Sequence, residues 1–327
     1  MVDDLNQLVQ LEVRAIGRRL RGMAMISRGI VPNLVISQRV VNKIASIANQ
    51  FIEDETGESM VGLVLDAADE PEAMPTIYVL DTISPDEEET LRRTHTFQQG
   101  DDLQDEIIWW LQENWRLCRE MKIQIDGETP LADHWDVPLR YVGDWHKQPG
   151  YMIQPSGGDL MTALSWMDDD ENGMEYLLVP IVTLGHPATT LENDSEVNYF
   201  TVSMDDGTAL RVDWWYIHRD IRFFQPITPK IIAEDTVPGT ANYPWHLTRP
   251  DRMEEEVQEI QRSGRFVEAL IWQADGSVPM ELAFFVARPG SSIVLLLMTE
   301  HDFPRTPPRI RTAPFMRYDP GDDFYDI

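Results

Sequence analysis

Apolar residues recur at helical spacing from the start of the chain. Leu5, Leu8, Val9, Val13, Ile16 and Leu20 share one face and predict a helix over 3–22. Ser37 stands where it would cap a second helix, whose inner face carries Val40, Val41, Ile44, Ile47, Ala48 and Phe51. Short apolar runs at 60–65 and 76–81 read as strands. A long amphipathic stretch over 101–122 carries Ile107, Ile108, Leu111, Trp115 and Leu117. A strand over 140–145, a helix over 159–167, and strands at 176–183, 199–204 and 210–217 follow. This order predicts an α/β fold, a mixed β-sheet flanked by helices.

The pattern then breaks. Pro226, Pro229, Pro238 and Pro244 fall close together with few apolar runs between them, which is linker chemistry. A second unit opens beyond. Met253, Val257 and Ile260 mark a helix face that Gly264 ends. Strands at 266–273, 282–287 and 293–299 are joined by turns at Asp275-Gly276 and Pro289-Gly290. The expected organisation is a helical extension over 1–30, an α/β domain over 31–230, a proline-rich linker over 231–248 and a smaller α+β unit over 249–327.

Composition narrows the picture. A chain of 327 residues is long enough for two domains, and its 43% hydrophobic content is that of a globular protein. No apolar run is long enough to cross a bilayer, and the acidic Met1-Val2-Asp3-Asp4 start is not that of a signal peptide. The single cysteine, Cys118, excludes an internal disulfide and a cysteine-built zinc site, and a cytoplasmic location is expected. Acidic residues number 56 against 27 basic ones, for a net charge of −29. Such a field repels nucleic acid and anionic membranes, and suits partners with basic surfaces.

The chemistry concentrates in Gly143-Asp144-Trp145-His146-Lys147-Gln148-Pro149, followed by Ser156-Gly157-Gly158-Asp159. A hydrolytic zinc takes three protein ligands and leaves one position for a water. His146 and Asp159 are ordinary metal ligands. Positions 146 and 148 of a strand point the same way, so both reach one ion, and Asp159 at the start of the next helix closes the set. Gln148 stands where a second histidine would complete it. Ser156 is placed to donate to a tetrahedral oxyanion, and a glutamate from elsewhere would take the proton from the water. Ser156-x-x-Asp159 before an apolar helix also reads as a capping box, a purely structural role.

These residues carry a resemblance to the JAMM motif of the JAB/MPN metalloprotease family, a His-x-His-Pro followed by serine and aspartate. His146, Pro149, Ser156 and Asp159 match it, and Gln148 replaces the second histidine. The family's catalytic glutamate precedes a Gly-x-Leu in an early strand, here Gly62 in Glu58-Ser59-Met60-Val61-Gly62-Leu63. The usual offset falls on Ser59. Glu58, one residue further back, is the expected base, with Glu55 as the alternative. Trp214-Trp215-Tyr216-Ile217 and Phe224-Gln225-Pro226-Ile227 also look like the end of bacterial JAB domains. The resemblance implies a Zn2+ isopeptidase or peptidase acting on a ubiquitin-like protein or its conjugates in a bacterial pathway. Gln148 leaves open a binding protein that keeps the groove without the metal.

A second resemblance lies in Phe303-Pro304-Arg305-Thr306-Pro307-Pro308-Arg309-Ile310. It is similar to the Tyr-Pro-x-x-Pro-Pro-x-Val turn of ubiquitin-conjugating (E2) enzymes, whose prolines hold an extended turn after the sheet. No cysteine follows Pro308, so the unit reads as the front half of an E2-like domain without its thioester chemistry, or as a truncated chain. The implied partners then include E1-like or E2-like enzymes, and the unit would serve for docking or as an adaptor.

Overall fold

The computed structural model describes residues 31–66, 74–99, 102–124, 133–170, 172–188, 197–204, 206–272, 281–299 and 303–314. The expected helix over 3–22 and the Asp275-Gly276 turn lie outside these residues. The chain forms two compact units, Met1–Ile108 with Leu131–Gly239, and Trp109–Pro130 with Thr240–Ile327.

The first unit is a mixed sheet flanked by helices. Strand β1 (Asn33–Ser37) runs directly into α1 (Gln38–Gln50), where Ser37 Oγ accepts from Val40 N at 3.4 Å as the helix cap. The predicted face of α1 is the buried one: Val40, Ile44 and Ala48 pack with Met60, Ile77 and Trp145. Strands β2 (Thr56–Leu65), β3 (Thr76–Ile83) and β6 (Arg140–Lys147) form the centre of the sheet. A small hairpin of β4 (Leu91–Arg93) and β5 (Thr96–Gln98) stands apart, and α2 (Asp102–Gln124) follows it. Sequence spacing places all of this helix in the first domain. By packing, its part from Trp109 onward counts with the second unit.

After β6 come α3 (Gly157–Asp168), β7 (Tyr176–Leu178), β8 (Ile181–Leu184), β9 (Tyr199–Ser203), β10 (Ala209–Asp213), β11 (Trp215–His218), β12 (Gln225–Pro226) and β13 (Pro229–Ile232). The main path of the sheet runs β12-β11-β7-β6-β2-β3-β1-β13, with β8, β9 and β10 branching from β6. The run expected as one strand over 176–183 is broken at Pro180, which has no N–H for a ladder. Both halves pair parallel with β6, β7 at Gly143 and β8 at His146 and Lys147. The run over 210–217 divides at Trp214, and its halves follow β8 and β7. Pro226 and Pro229, read as linker residues, lie in β12 and β13 at the two ends of the path, where a missing donor costs least.

Strand β2 keeps strict alternation along its length. Its two register shifts insert a residue into its neighbours instead: Val142 in β6 and Leu80 in β3 have no opposite number. At the first shift Gly143 takes φ +134, and a Cβ there would lie 2.0 Å from the Leu178 carbonyl oxygen. Only glycine fits this bulge, and the bulge sets the direction of everything after it on β6.

The second unit has its own core. A short helix α4 (Trp245–Thr248) and α5 (Pro250–Arg262) precede an antiparallel meander of β14 (Phe266–Trp272), β15 (Glu281–Ala287), β16 (Ile293–Thr299) and β17 (Arg309–Pro314). Met253, Val257 and Ile260, the expected face of α5, pack with Trp245, Leu282, Phe284 and Val286. Trp245 Nε1 donates to Thr299 Oγ1 at 3.0 Å, satisfying the polar edge of a buried indole. Among the described residues, no helix is long and apolar enough to cross a membrane.

Candidate functional site

The far end of β6 and the start of α3 meet at a cleft of about 510 Å³. Two features aim His146 and Gln148 into it. The backbone N–H groups of His146 and Gln148 donate to the carbonyls of Pro180 and Val182 at 3.1 and 3.0 Å, so the strand end is pinned on β8. The alternation of β6 then turns the side chains of Asp144 and His146 to the cleft and those of Trp145 and Lys147 toward α1. Trp145 is fully buried against α1, and Lys147 Nζ donates to the carbonyls of Phe51 and Ile52 just past the end of that helix. Across the strand from His146 stands Gly57, where a Cβ would meet the Trp145 carbonyl oxygen at 2.3 Å and the Phe97 ring at 2.8 Å.

Asp159 comes from the first turn of α3, held by a reciprocal cap. Ser156 Oγ accepts from Asp159 N at 3.2 Å, and Asp159 Oδ2 accepts from Ser156 N at 2.5 Å. Asp159 therefore caps α3 with one oxygen and turns the other toward His146. Asp159 Oδ1 lies 3.6 Å from His146 Nε2.

Gln148 is only 6% exposed, and its amide nitrogen lies between these two groups. Nε2 is 3.0 Å from His146 Nε2 and donates to Asp159 Oδ2 at 3.3 Å. Asp159 decides which end of the amide faces it, because a carbonyl oxygen there would set two acceptors against each other. The second N–H then donates to His146 Nε2, which requires the proton of a neutral ring on Nδ1. Burial favours that neutral ring, pulling His146 below its ordinary value of 6.5 against the opposing charge of Asp159.

This donor set does not fit a three-ligand zinc. An –NH2 group offers no lone pair, and here it sits against His146 Nε2 and Asp159 Oδ2, the two atoms it would have to share an ion with. Among the described residues, no three histidine, cysteine, aspartate or glutamate side chains come together as a metal-holding group.

The two candidate glutamates part company. Glu58 pairs with Trp145 across β2 and β6, so it shares the α1 face and points away from His146. Its Oε1 accepts from Ser84 Oγ, the side chains of Thr82 and Trp145 also act on the carboxyl, and it is 2% exposed. Burial pushes its carboxyl above the ordinary 4.5, and the Ser84 hydroxyl pulls it back only in part. Glu55, just before β2, lines the cleft instead. Its pKa is also raised, first by burial and then by the charge of Asp159, with His95 and Lys147 opposing.

Other lining residues carried no role in the sequence reading. Asp144 accepts from Ser59 Oγ at 2.7 Å on the cleft face. The signal for it was present, since it lies two residues before His146 on a strand. The β4–β5 hairpin brings His95 and Phe97 to the cleft, and no glycine or proline marks its turn. Of the other histidines, His95 lines the cleft. His134 packs on Trp135 and His186 on Tyr151, and neither lines it.

No protein-family model matches the chain, and no curated protein matches it. Among solved structures, that of protein DSY2949 from Desulfitobacterium hafniense is similar to 62% of this chain and 96% of its own length. The identity is 13% and the TM-score 0.31, too low for that likeness to place any residue of the site.

Proposed function

We propose that this chain is a JAMM-type isopeptidase fold that engages a ubiquitin-like protein or its conjugates in a bacterial pathway. With Gln148 in place of the second histidine, it holds the substrate tail in the cleft without cutting it. The observation that carries this reading is the amide nitrogen of Gln148, set between His146 Nε2 and Asp159 Oδ2 where the family holds Zn2+. The convergence of His146, Asp159 and Ser156 at the end of one strand and the start of one helix supports it. In the second unit, a helix followed by an antiparallel meander and a proline-rich turn supports an E2-like docking module for E1-like or E2-like enzymes.

The test compares this chain with Gln148→His. Elemental analysis of the chain as it stands is expected to give far less than one zinc per chain, while the histidine variant takes up about one. Only the variant is expected to cleave a ubiquitin-like protein fused to a reporter through its C-terminal glycine. Full-rate cleavage by the unchanged chain, or an inert variant carrying a full zinc equivalent, overturns the reading.

A further inference from the structure

The second unit holds a cavity of about 690 Å³ whose charge is opposite to that of the chain. Arg249, Arg252 and Arg305 line it, and none of its described lining residues is acidic. The chain as a whole carries 56 acidic residues against 27 basic ones, and the cleft of the first unit is lined by Glu55, Asp144 and Asp159. Three guanidinium groups gathered at one cavity depart from both.

Helix stability does not account for these arginines. Arg249 stands at the N-cap of α5, where its side chain makes no capping hydrogen bond, and Arg252 follows in the first turn. Both cations lie at the positive end of the helix dipole, where an acidic or short polar residue serves the helix better. Arg252 is shared with Glu255 and Glu256. Arg249 and Arg305 are exposed and have no ion-pair partner among the described residues. Such groups are open to an incoming anion.

The rest of the lining restricts that anion. Tyr243, Trp245 and Phe303 give it an aromatic wall. The Trp245 and Phe303 rings lie 5.1 Å apart, which holds the 303–305 turn beside the start of α5. Asn242 adds a side-chain amide, a donor and an acceptor together. A bare anion would use the guanidinium groups alone. A phosphate joined to a flat, hydrogen-bonding ring uses all three parts: forked donors for its oxygens, aromatic faces for the ring and an amide for the ring's polar edge.

We propose that this cavity is a mononucleotide site, with Arg249 and Arg305 on the phosphate, the base against Tyr243 and Phe303, and Asn242 on the edge of the base. The site lies wholly within the second unit and is independent of the reading of the cleft.

The experiment is isothermal titration calorimetry of the full chain with each nucleoside 5′-monophosphate, the matching nucleosides, inorganic phosphate and phenyl phosphate. At least one nucleotide is expected to bind about tenfold or more tightly than its nucleoside and than inorganic phosphate. Arg249→Gln and Arg305→Gln are each expected to weaken it by about tenfold. Arg288→Gln removes the same charge at an exposed position away from the cavity lining, and is expected to bind as the unchanged chain does. Inorganic phosphate or phenyl phosphate bound as tightly as any nucleotide would show that the arginines hold a phosphate without reading a base, and overturns the inference. An equal loss in Arg288→Gln overturns it too, as does the absence of nucleotide binding by the unchanged chain.

Discussion

Ser59 and Asp144 face each other across β2 and β6, hydroxyl to carboxylate at 2.7 Å. The pair marks the cleft face of β2. Glu58, next to Ser59 on an unbroken strand, must therefore look the other way. One residue of offset separates a carboxylate in the cleft from one sealed behind the sheet.

That separation gives a test of the two glutamates. In a chain carrying Gln148→His, Glu55→Gln is expected to lower kcat/KM for tail cleavage by about 10²–10⁴, the range for a lost general base. Glu58→Gln is expected to leave it within about threefold, since it faces Ser84 and not the cleft. Reversed effects in steady-state kinetics would show that the base reaches the site by another route.

Glu58 also has a signature in stability. Its folded-state pKa is raised by burial above the ordinary 4.5, so the folded form binds the proton more tightly than the unfolded one. The stability this contributes is complete below about 4.5 and is lost as pH rises through the folded value. Glu58→Gln keeps an acceptor for Ser84 and carries no charge. Urea midpoints are expected to match at acid pH, and the variant to gain over the unchanged chain as pH rises. A constant difference across pH would mean that Glu58 titrates alike in the folded and unfolded chains.

Ser156→Ala removes the acceptor at the N-terminus of α3. A loss of about 1 kcal/mol is expected from chemical denaturation. Asp159 loses a fixed position with it, so zinc uptake by the Gln148→His form is expected to weaken as well. An unchanged zinc affinity would separate the cap from the site.

Gly143→Ala tests the bulge. A Cβ would sit 2.0 Å from the Leu178 carbonyl oxygen, at a φ of +134 that side chains rarely take. The expected cost is about 2–4 kcal/mol by thermal or chemical unfolding. A cost under about 1 kcal/mol would show that β6 and β7 separate easily.

Much of this arrangement was legible in the residues. Apolar spacing located α1 and α5 with the faces they pack inward, and the i, i+2 relation of His146 and Gln148 placed both at the cleft. The reach of Asp159 followed from its place in the first turn of α3. What stayed hidden depended on pairing between distant segments. The inserted Val142 and Leu80 are visible only once β2 has partners, and they show that neither bulge lies on β2 to turn Glu58 toward the cleft. The break at Pro180 was marked by a proline, but its effect, two strands placed side by side along β6, needs the sheet. The β4–β5 hairpin has no turn residues to announce it. The orientation of the Gln148 amide is set by Asp159, eleven positions along the chain.

The reciprocal cap between Ser156 and Asp159 has an evolutionary consequence. A lineage that abandons catalysis is free to drift at His146 and at position 148, but replacing Asp159 still frays a helix. An aspartate in this position is therefore kept by the helix alone, and its presence in a related chain says that α3 is capped before it says that a metal is bound.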